Sequence, residues 1–308
     1  MRFSIRAPAS SANLGPGFDA IGLALDLWNE VVIDTDGEAG RVVNEGPEAA
    51  LLAGRENLTL RAMRTLAAEH GRTLPPFTLI SRTNVPVARG LGSSAAALVA
   101  GLIAANHLLD LDLSDDDLYA VAWRIEGHGD NVGAALYGGA ILAVPQVRHA
   151  VRLWGDAGDD IGLTAIAFIP EATGATWAAR AALPSSIPHA DATFNIATAC
   201  GLALGWRLGD HELIAAGMRD RLHEPYRARL FQHLEAMQAA AREAGAVGAC
   251  LSGAGPTVLA LVTPPRMDAV RVALEATAAR LGTTGYVREL TPTRCGARLQ
   301  ESAAGIER

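Results

Sequence analysis

The run Pro86-Val87-Ala88-Arg89-Gly90-Leu91-Gly92-Ser93-Ser94-Ala95-Ala96 holds the residue types that cradle a phosphate. It lies between a strand-like segment, Phe77 to Asn84, and an apolar, helix-like one, Ala95 to Leu109. Two glycines let the backbone turn tightly and approach a ligand closely. Two serines then open the helix, where unpaired N–H groups and the positive end of the dipole gather. No Lys follows the last Gly, so this is not the P-loop of the common nucleotide-binding folds. Main-chain donors and hydroxyls must do more of the binding. By itself the segment fits equally a Gly-Ser turn capping a buried helix, and both readings stand at this level.

Five other stretches have chemistry in them. Pro8-Ala9-Ser10-Ser11-Ala12-Asn13-Leu14-Gly15-Pro16-Gly17-Phe18-Asp19 is dense in small and turn-forming residues and reads as a connection longer than a simple hairpin needs. On spacing alone Asn13 and Asp19 are turn formers bonded to nearby backbone; the alternative has Asp19 bind an ammonium and Asn13 a hydroxyl or carboxylate. Glu126-Gly127-His128-Gly129-Asp130-Asn131-Val132 gathers four polar side chains at a helix end. Mg²⁺ takes hard oxygen ligands and often only one or two protein carboxylates, and Glu126 is the natural one; a solvated helix terminus is the competing reading. His128 reads as a hydrogen-bonded structural His, and no His-Glu-x-x-His or paired-Cys spacing supports zinc. Thr176 and Arg180 share a helix face, and Arg227 stands at a helix start in His223-Glu224-Pro225-Tyr226-Arg227. Arginine forks pair bidentately with carboxylates and phosphates, although most arginines only decorate surfaces. Gly248-Ala249-Cys250-Leu251-Ser252-Gly253-Ala254-Gly255-Pro256-Thr257 reads as a tight hairpin between apolar strands.

The elements that must position these clusters alternate between strand and helix. Ile21 to Asp34 reads as a strand, with a short one at Val42-Val43, and Asn57 to His70 has helical periodicity. Ser114 caps a further helix with Asp115, Asp116 and Asp117 in its first turn, a capping device rather than a metal site. Gly138-Gly139 leads into a strand, Ala140 to Val144. Arg148 to Asp160 is polar and Gly/Asp-rich and reads as a domain boundary or long surface turn. Beyond it come a strand (Leu163 to Ile169), helices (Thr176 to Ala182, Ala192 to Trp206, Glu212 to Arg219, Tyr226 to Ala244), a strand–turn–strand (Gly248 to Val262), a helix (Arg266 to Leu281) and a last strand near Tyr286. This is an α+β chain in two domains, 1–155 and 156–300, with a disordered tail at 301–308.

With 308 residues, half of them hydrophobic, the chain is long enough for two sizeable cores. A net charge of -7, spread along the chain with no basic stripe, argues against nucleic acid. The N-terminus lacks a signal-peptide core, and the longest apolar run, Ala95 to Ala105, is too short to span a bilayer. Cys200, Cys250 and Cys295, far apart, read as buried small hydrophobes in a reducing compartment. A cytoplasmic protein without membrane contact is the expectation.

Taken together, the clusters resemble the signatures of the GHMP small-molecule kinases, present in order over nearly the whole chain: Pro8 to Asp19, Pro86 to Ala96 and Gly248 to Thr257. Within that superfamily the homoserine kinases are most similar, through Ser-Ser-Ala-Asn-Leu-Gly-Pro-Gly-Phe-Asp at 10–19, Glu-Gly-His-x-Asp-Asn at 126–131 and His-Glu-Pro-Tyr-Arg at 223–227. The resemblance implies a two-domain GHMP kinase fold, its N-terminal domain like ribosomal protein S5 domain 2 and its C-terminal domain ferredoxin-like. It implies ATP as co-substrate, with Asn57 beside the adenosine and the phosphates over Gly90 to Ala96. Mg²⁺ would be held by Ser94 and Glu126. L-homoserine would contact Asn13, Asp19, His128, Asp130, Asn131, Thr176, Arg180 and Arg227, and catalysis would fall to Asn131, Glu126, Ser94 and Arg180. A homodimer is in keeping with the family. Many relatives carry Asp where Asn131 falls, so no strong general base is implied. Two departures stand out: Gly129 replaces a common Pro, which should loosen the turn, and Glu126 lies nearer Asn131 than in some relatives. Two rival readings are a kinase of the same fold for another small alcohol and a non-catalytic ATP-binding sensor.

Overall fold

The computed structural model describes residues 1–146, 149–156 and 160–301. Its strands and helices run β1 (Arg2–Asn13), β2 (Gly17–Asp34), β3 (Val42–Glu45), α1 (Ala49–Leu52), α2 (Leu58–Glu69), β4 (Thr78–Arg82), α3 (Ser93–Leu108), α4 (Asp115–Glu126), α5 (Asp130–Tyr137), β5 (Ala140–Val144), β6 (His149–Trp154), β7 (Thr164–Pro170), α6 (Thr176–Ala181), α7 (His189–Leu208), α8 (His211–Gly217), α9 (Glu224–Arg227), α10 (Leu234–Glu243), β8 (Gly248–Leu251), β9 (Val258–Val262), α11 (Met267–Leu281), β10 (Gly285–Leu290) and β11 (Arg298–Glu301).

Two sheets result. The first runs β11-β1-β2-β4-β3, with β5 added to β2 and β6 to β5; β3–β4 is parallel and the other pairs are antiparallel. Helices α2 to α5 cover one face, burying Phe3, Ile5, Val31, Leu79, Leu98, Leu102 and Tyr119. The second sheet is ordered β10-β7-β9-β8, the fourth, first, third and second of its strands in chain order, with every pair antiparallel. That order and its connections are those of a ferredoxin-like βαββαβ unit. Helices α10 and α11 supply Met237 and Leu274 to one face, against Ile166 and Phe168. Its other face joins a core shared with the first sheet, where Ala165, Ile169 and Leu259 meet Leu14, Leu23, Leu25 and Trp206.

Several expectations needed correction. Pro8 to Asn13 is strand, not connection: β1 and β2 form a hairpin turned over Leu14-Gly15-Pro16, and the small side chains are small because they are buried. Within the stretch expected as a boundary, β6 pairs with β5 as a sheet edge, where only one neighbour is needed and polar residues are tolerated. The single helix expected over Tyr226 to Ala244 is two, α9 and α10, and the break turns Arg227 and His233 inward. Of the cysteines only Cys250 is buried; Cys200 and Cys295 are exposed, so they are not core residues. A strand missed in the sequence, β11, carries the chain end back to pair with β1, so Arg298–Gln300 adjoin the first sheet and Glu301 pairs with Phe3. The rest of the expected tail lies outside the described residues. No helix among them is long and apolar enough to cross a membrane.

The buried helix α3 packs against α2 through Gly101. A Cβ there would lie 2.4 Å from the Thr59 carbonyl oxygen and 2.9 Å from the Ala62 Cβ. Gly101→Ala gains about 1 kcal/mol of helix propensity but drives two backbones apart, for an overpacking cost of about 1–3 kcal/mol. A net loss of stability in urea denaturation is expected; a gain would mean that α2 and α3 separate freely.

Candidate functional site

The end of β1 and the loops around Ala88 to Gly92, Gly174 and Ser252 to Gly253 close on one another at the start of α3. Gly92 is its N-cap at φ 70, and Gly90 stands at φ 78. A Cβ on Gly90 would lie 2.1 Å from the Ser252 carbonyl oxygen, and one on Gly92 would lie 2.0 Å from the Ser10 Oγ. The Ser10 N–H donates to the Leu91 carbonyl (3.1 Å), the Gly253 N–H to that of Ala12 (3.0 Å) and the Gly174 N–H to that of Ala88 (2.7 Å). The Ser252 hydroxyl donates to the Gly90 carbonyl at 2.6 Å and lies 2.9 Å from that of Ser11. Gly248 to Thr257 is thus the hairpin expected, but its turn is also a wall of the site.

Over these loops opens a cleft of about 660 Å³. Of the residues singled out in the sequence, it is lined by Asn57, all of Pro86 to Ser94, Asn13, Asp19, Glu126, His128, Asp130, Asn131, Thr176, Arg180 and Arg227. Ala95 and Ala96 are not brought to it; both are fully buried in the core under α3. Asn57 caps α2, accepting from the Leu60 N–H, and donates toward Asn44 and Ser81. Arg89 is tied to protein partners, its own loop's Val87 carbonyl among them. Its guanidinium pairs with Glu48 at 2.8 Å and donates to the carbonyls of Pro170 and Glu171. Thr176 stands exposed at the start of α6. The Ser94 hydroxyl donates to the Glu126 Oε1 at 2.9 Å, so two hard oxygen donors adjoin at the helix N-terminus. That pair fits a magnesium ion, which takes few protein ligands beside phosphate oxygens.

The far end of the cleft mixes charges. Asp19 is held at φ 56 by Asn13, whose Oδ1 accepts its N–H at 3.0 Å while the Nδ2 donates to the Gly253 carbonyl at 2.8 Å. Asn13 therefore positions Asp19 with both ends of its amide. Arg180 grips Asp19 bidentately at 2.8 and 3.0 Å. His128 Nδ1 and Asp130 Oδ1 are 2.5 Å apart, and the same oxygen accepts the Asn131 N–H. Burial works against charge on His128, but the bond to Asp130 and the fields of Asp130, Glu126 and Asp19 outweigh it and raise its pKa. Ligand atoms of Asp19, His128 and Asp130 lie within 4.8 Å of one another; with Arg180 already bound to Asp19, this acidic corner suits an ammonium group better than a metal ion. The Asn131 Oδ1 accepts from the Ser10 hydroxyl at 2.9 Å.

Helix α9 braces this end. Arg227 is 2 % exposed and donates to the carbonyls of Ala179 and Gly253 and to the His223 Nδ1. It has no carboxylate partner among the described residues, and burial, then Arg180, pushes its pKa down to about 10. His223 donates from Nε2 to the Gly15 carbonyl at 2.7 Å, which leaves Nδ1 to accept from Arg227. Burial takes this imidazole down to about 4, so it is neutral. Phe18 lies under both guanidinium groups, 5.5 Å from Arg180 and 5.2 Å from Arg227. Ser10, Phe18, Glu48, His223 and Glu224 were missed as site residues. Phe18 and His223 lay inside recognisable motifs, whereas nothing in the sequence ties Glu48 to Arg89. At Gly129, where a looser turn is the expectation, the carbonyl accepts from the Tyr119 hydroxyl at 3.1 Å.

The chain matches the GHMP kinases N terminal domain over residues 57–139 and the GHMP kinases C terminal domain over 201–280. The homoserine kinase of Moorella thermoacetica is 38% identical over 293 residues, 95% of this chain and 98% of its own. That of Deinococcus radiodurans is 44% identical over 259 residues, 83% of each chain. The crystal structure of the homoserine kinase from Cytophaga hutchinsonii superposes with a TM-score of 0.85 at 28% identity, covering 97% of both chains. L. major mevalonate kinase, with 94% of this chain and 96% of its own covered, shares the fold at 18% identity and a TM-score of 0.69.

Glu224 supplies a test of the brace. Its Oε1 accepts the Leu251 N–H at 2.6 Å and its Oε2 accepts from Gln238 at 2.8 Å. Burial nevertheless pushes its carboxyl up to about 7 from the ordinary 4.5. A raised pKa means that the folded chain binds the proton more tightly than the unfolded one. The stability this contributes is full below pH 4.5 and is lost as pH rises to about 7; it amounts to roughly 3 kcal/mol. Urea denaturation at pH 4.5 to 8 is expected to show that slope in the wild type and not in Glu224→Gln. Parallel curves would contradict it.

Proposed function

Because the chain belongs to the homoserine kinases of the GHMP kinase family, we propose that it transfers the γ-phosphoryl of ATP to the side-chain hydroxyl of L-homoserine. The product would be O-phospho-L-homoserine, a step toward threonine. The observation that carries this reading is the charge layout of one corner of the cleft. Among the described residues Arg227 is buried without a carboxylate partner beside Arg180, while Asp19, His128 and Asp130 gather next to them. An α-amino acid complements that layout, its carboxylate on the arginine forks and its ammonium on the acids. An acid without an amino group, such as mevalonate, would leave the acidic side unmatched.

The phosphates of ATP would lie over Gly90 to Ser94, at the N-terminus of α3, where free N–H groups and the helix dipole favour anions. The nucleoside would extend toward Asn44, Leu52 and Asn57, which line the same cleft. Ser94 and Glu126 would hold Mg²⁺, which when bound supplies charge neutralisation for the phosphate oxygens. In phosphoryl transfer positioning and charge stabilisation dominate over covalent work by the protein. Each acid of the pocket already has a hydrogen-bond partner in the protein: Asp19 in Arg180, Asp130 in His128, Glu126 in Ser94. The homoserine hydroxyl would therefore attack the γ-phosphorus directly. The new P–O bond forms as the β–γ bridge breaks, ADP leaves, and the hydroxyl proton passes to a phosphoryl oxygen or solvent. Asn131, set by Ser10, would align that hydroxyl, and the arginines would fix the other end of the substrate.

ADP release, measured with ATP, Mg²⁺ and a panel of L-homoserine, D-homoserine, L-serine, L-threonine and mevalonate, tests the assignment. Saturable turnover strongest with L-homoserine is expected. Preference for another alcohol would refute the pocket assignment, and silence with all of them despite ATP binding would favour a sensor. Asn131→Ala is expected to lower kcat by about a hundredfold through lost alignment, with the Kd for ATP unchanged by calorimetry. Equal losses in both would count against an aligning role.

A further inference from the structure

Tyr119 sits in the middle of α4, fully buried, edge-on to Trp123 and Tyr137 with ring centroids 5.5 and 5.4 Å away. Its hydroxyl reaches past the end of its own helix and donates to the Gly129 carbonyl at 3.1 Å. That oxygen also accepts the first helical bond of α5, from the Gly133 N–H at 2.9 Å. One oxygen thus joins the two helices on either side of the turn that carries His128.

The space around Gly129 is closed by the same side chains. A Cβ at this position would lie 2.4 Å from the Tyr119 hydroxyl and 2.5 Å from the Trp123 ring. The backbone at Gly129, φ −98 and ψ −13, is open to any residue. Space and not conformation excludes a side chain here. A glycine between His128 and Asp130 would otherwise leave the turn many states to lose on binding. On the other side of the turn, Gly22 of β2 packs against the Asp130 carbonyl, where a Cβ would lie only 2.2 Å away. The turn is therefore gripped from two sides, by a strand through van der Waals contact and by Tyr119 through a directional bond.

We propose that Tyr119 is a positioning residue, whose hydroxyl clamps the Gly129 carbonyl and so sets His128 and Asp130 at the ammonium end of the substrate pocket. This rests on the homoserine reading of that pocket. Neither Tyr119 nor Trp123 lines the cleft, so the clamp acts only through the turn. It replaces by a hydrogen bond from outside the rigidity that a ring at position 129 would have provided from within.

Tyr119→Phe removes the hydroxyl and keeps the ring packing, so the variant should fold. Its KM for L-homoserine is expected to rise about three- to tenfold, the worth of one such bond, while KM for ATP stays put and kcat changes little. Hydrogen exchange in the ligand-free protein should speed up at the amides of 128–132 and not in β1 or β2. Gly129→Ala, which pushes on the same hydroxyl, should raise KM as well. The double variant should then fall short of the product of the two single effects, because both act on one contact. A lowered Tm with unchanged KM and unchanged local exchange would reduce Tyr119 to a packing residue and overturn the proposal, as would equal rises in KM for both substrates. The exchange measurement needs no substrate. If the wild type proved to act on another alcohol, faster exchange at 128–132 in Tyr119→Phe would still uphold the clamp, and unchanged exchange would overturn it.

Discussion

Two glycines that have no room for a side chain hold the site together. At Gly90 and Gly92 the phosphate-type loop runs backbone against Ser252 and Ser10, at distances that a single methyl would forbid. Both glycines also stand at positive φ, where an L side chain is strained even with space to spare. The close approach is what lets β1 and the two loops bond to each other, through Ser10 to Leu91, Gly253 to Ala12 and Ser252 to Gly90. A site made from parts of the chain some 240 residues apart, as Asn13 and Gly253 are, needs such contacts to hold its geometry. The free N–H groups at the start of α3 are aimed by that packing rather than by the loop alone.

Charge is then laid out from the same junction. Asn13, whose amide donates to the Gly253 carbonyl, turns Asp19 toward Arg180. That carbonyl also receives Arg227, whose other partners are a neutral imidazole and the Ala179 carbonyl. A buried guanidinium kept among neutral acceptors retains an unspent charge, and burying a charge without a partner is costly. Its lowered pKa reflects that cost. An incoming carboxylate would relieve it, and its binding would then stabilise this corner. The acids opposite each have one partner in the protein, Asp19 in Arg180, Asp130 in His128 and Glu126 in Ser94.

Much of this was legible in the sequence, and the misses have physical causes. The Gly-Ser loop before an apolar run marked the start of α3 because glycine freedom and helix-end donors are local properties. Ser114 marked the start of α4 for the same reason, through a capping box with Asp117. The stretch Pro8 to Asn13 misled because small polar residues signal turns only when exposed, and here they are buried in a strand against another loop. The break between α9 and α10 was invisible because it serves a tertiary contact, the burial of Arg227 and His233. Motif matching picked out residues that the fold brings to one cleft, together with Ala95 and Ala96, whose side chains face the core, and Arg89, whose side chain pairs with Glu48. The clamp of Tyr119 on Gly129 is a contact between helices, and no local pattern announces it. Only the spacing of the surrounding atoms explains why a glycine stands there.

A crystal structure of the chain with L-homoserine and a non-hydrolysable ATP analogue would test the central claim most directly. It should find the γ-phosphate over Gly90 to Ser94, the amino-acid carboxylate on Arg180 and Arg227, and the substrate hydroxyl beside Asn131, in line with the β–γ bridge. Homoserine bound with its carboxylate away from both arginines, or a triphosphate lying outside the loop before α3, would contradict the account.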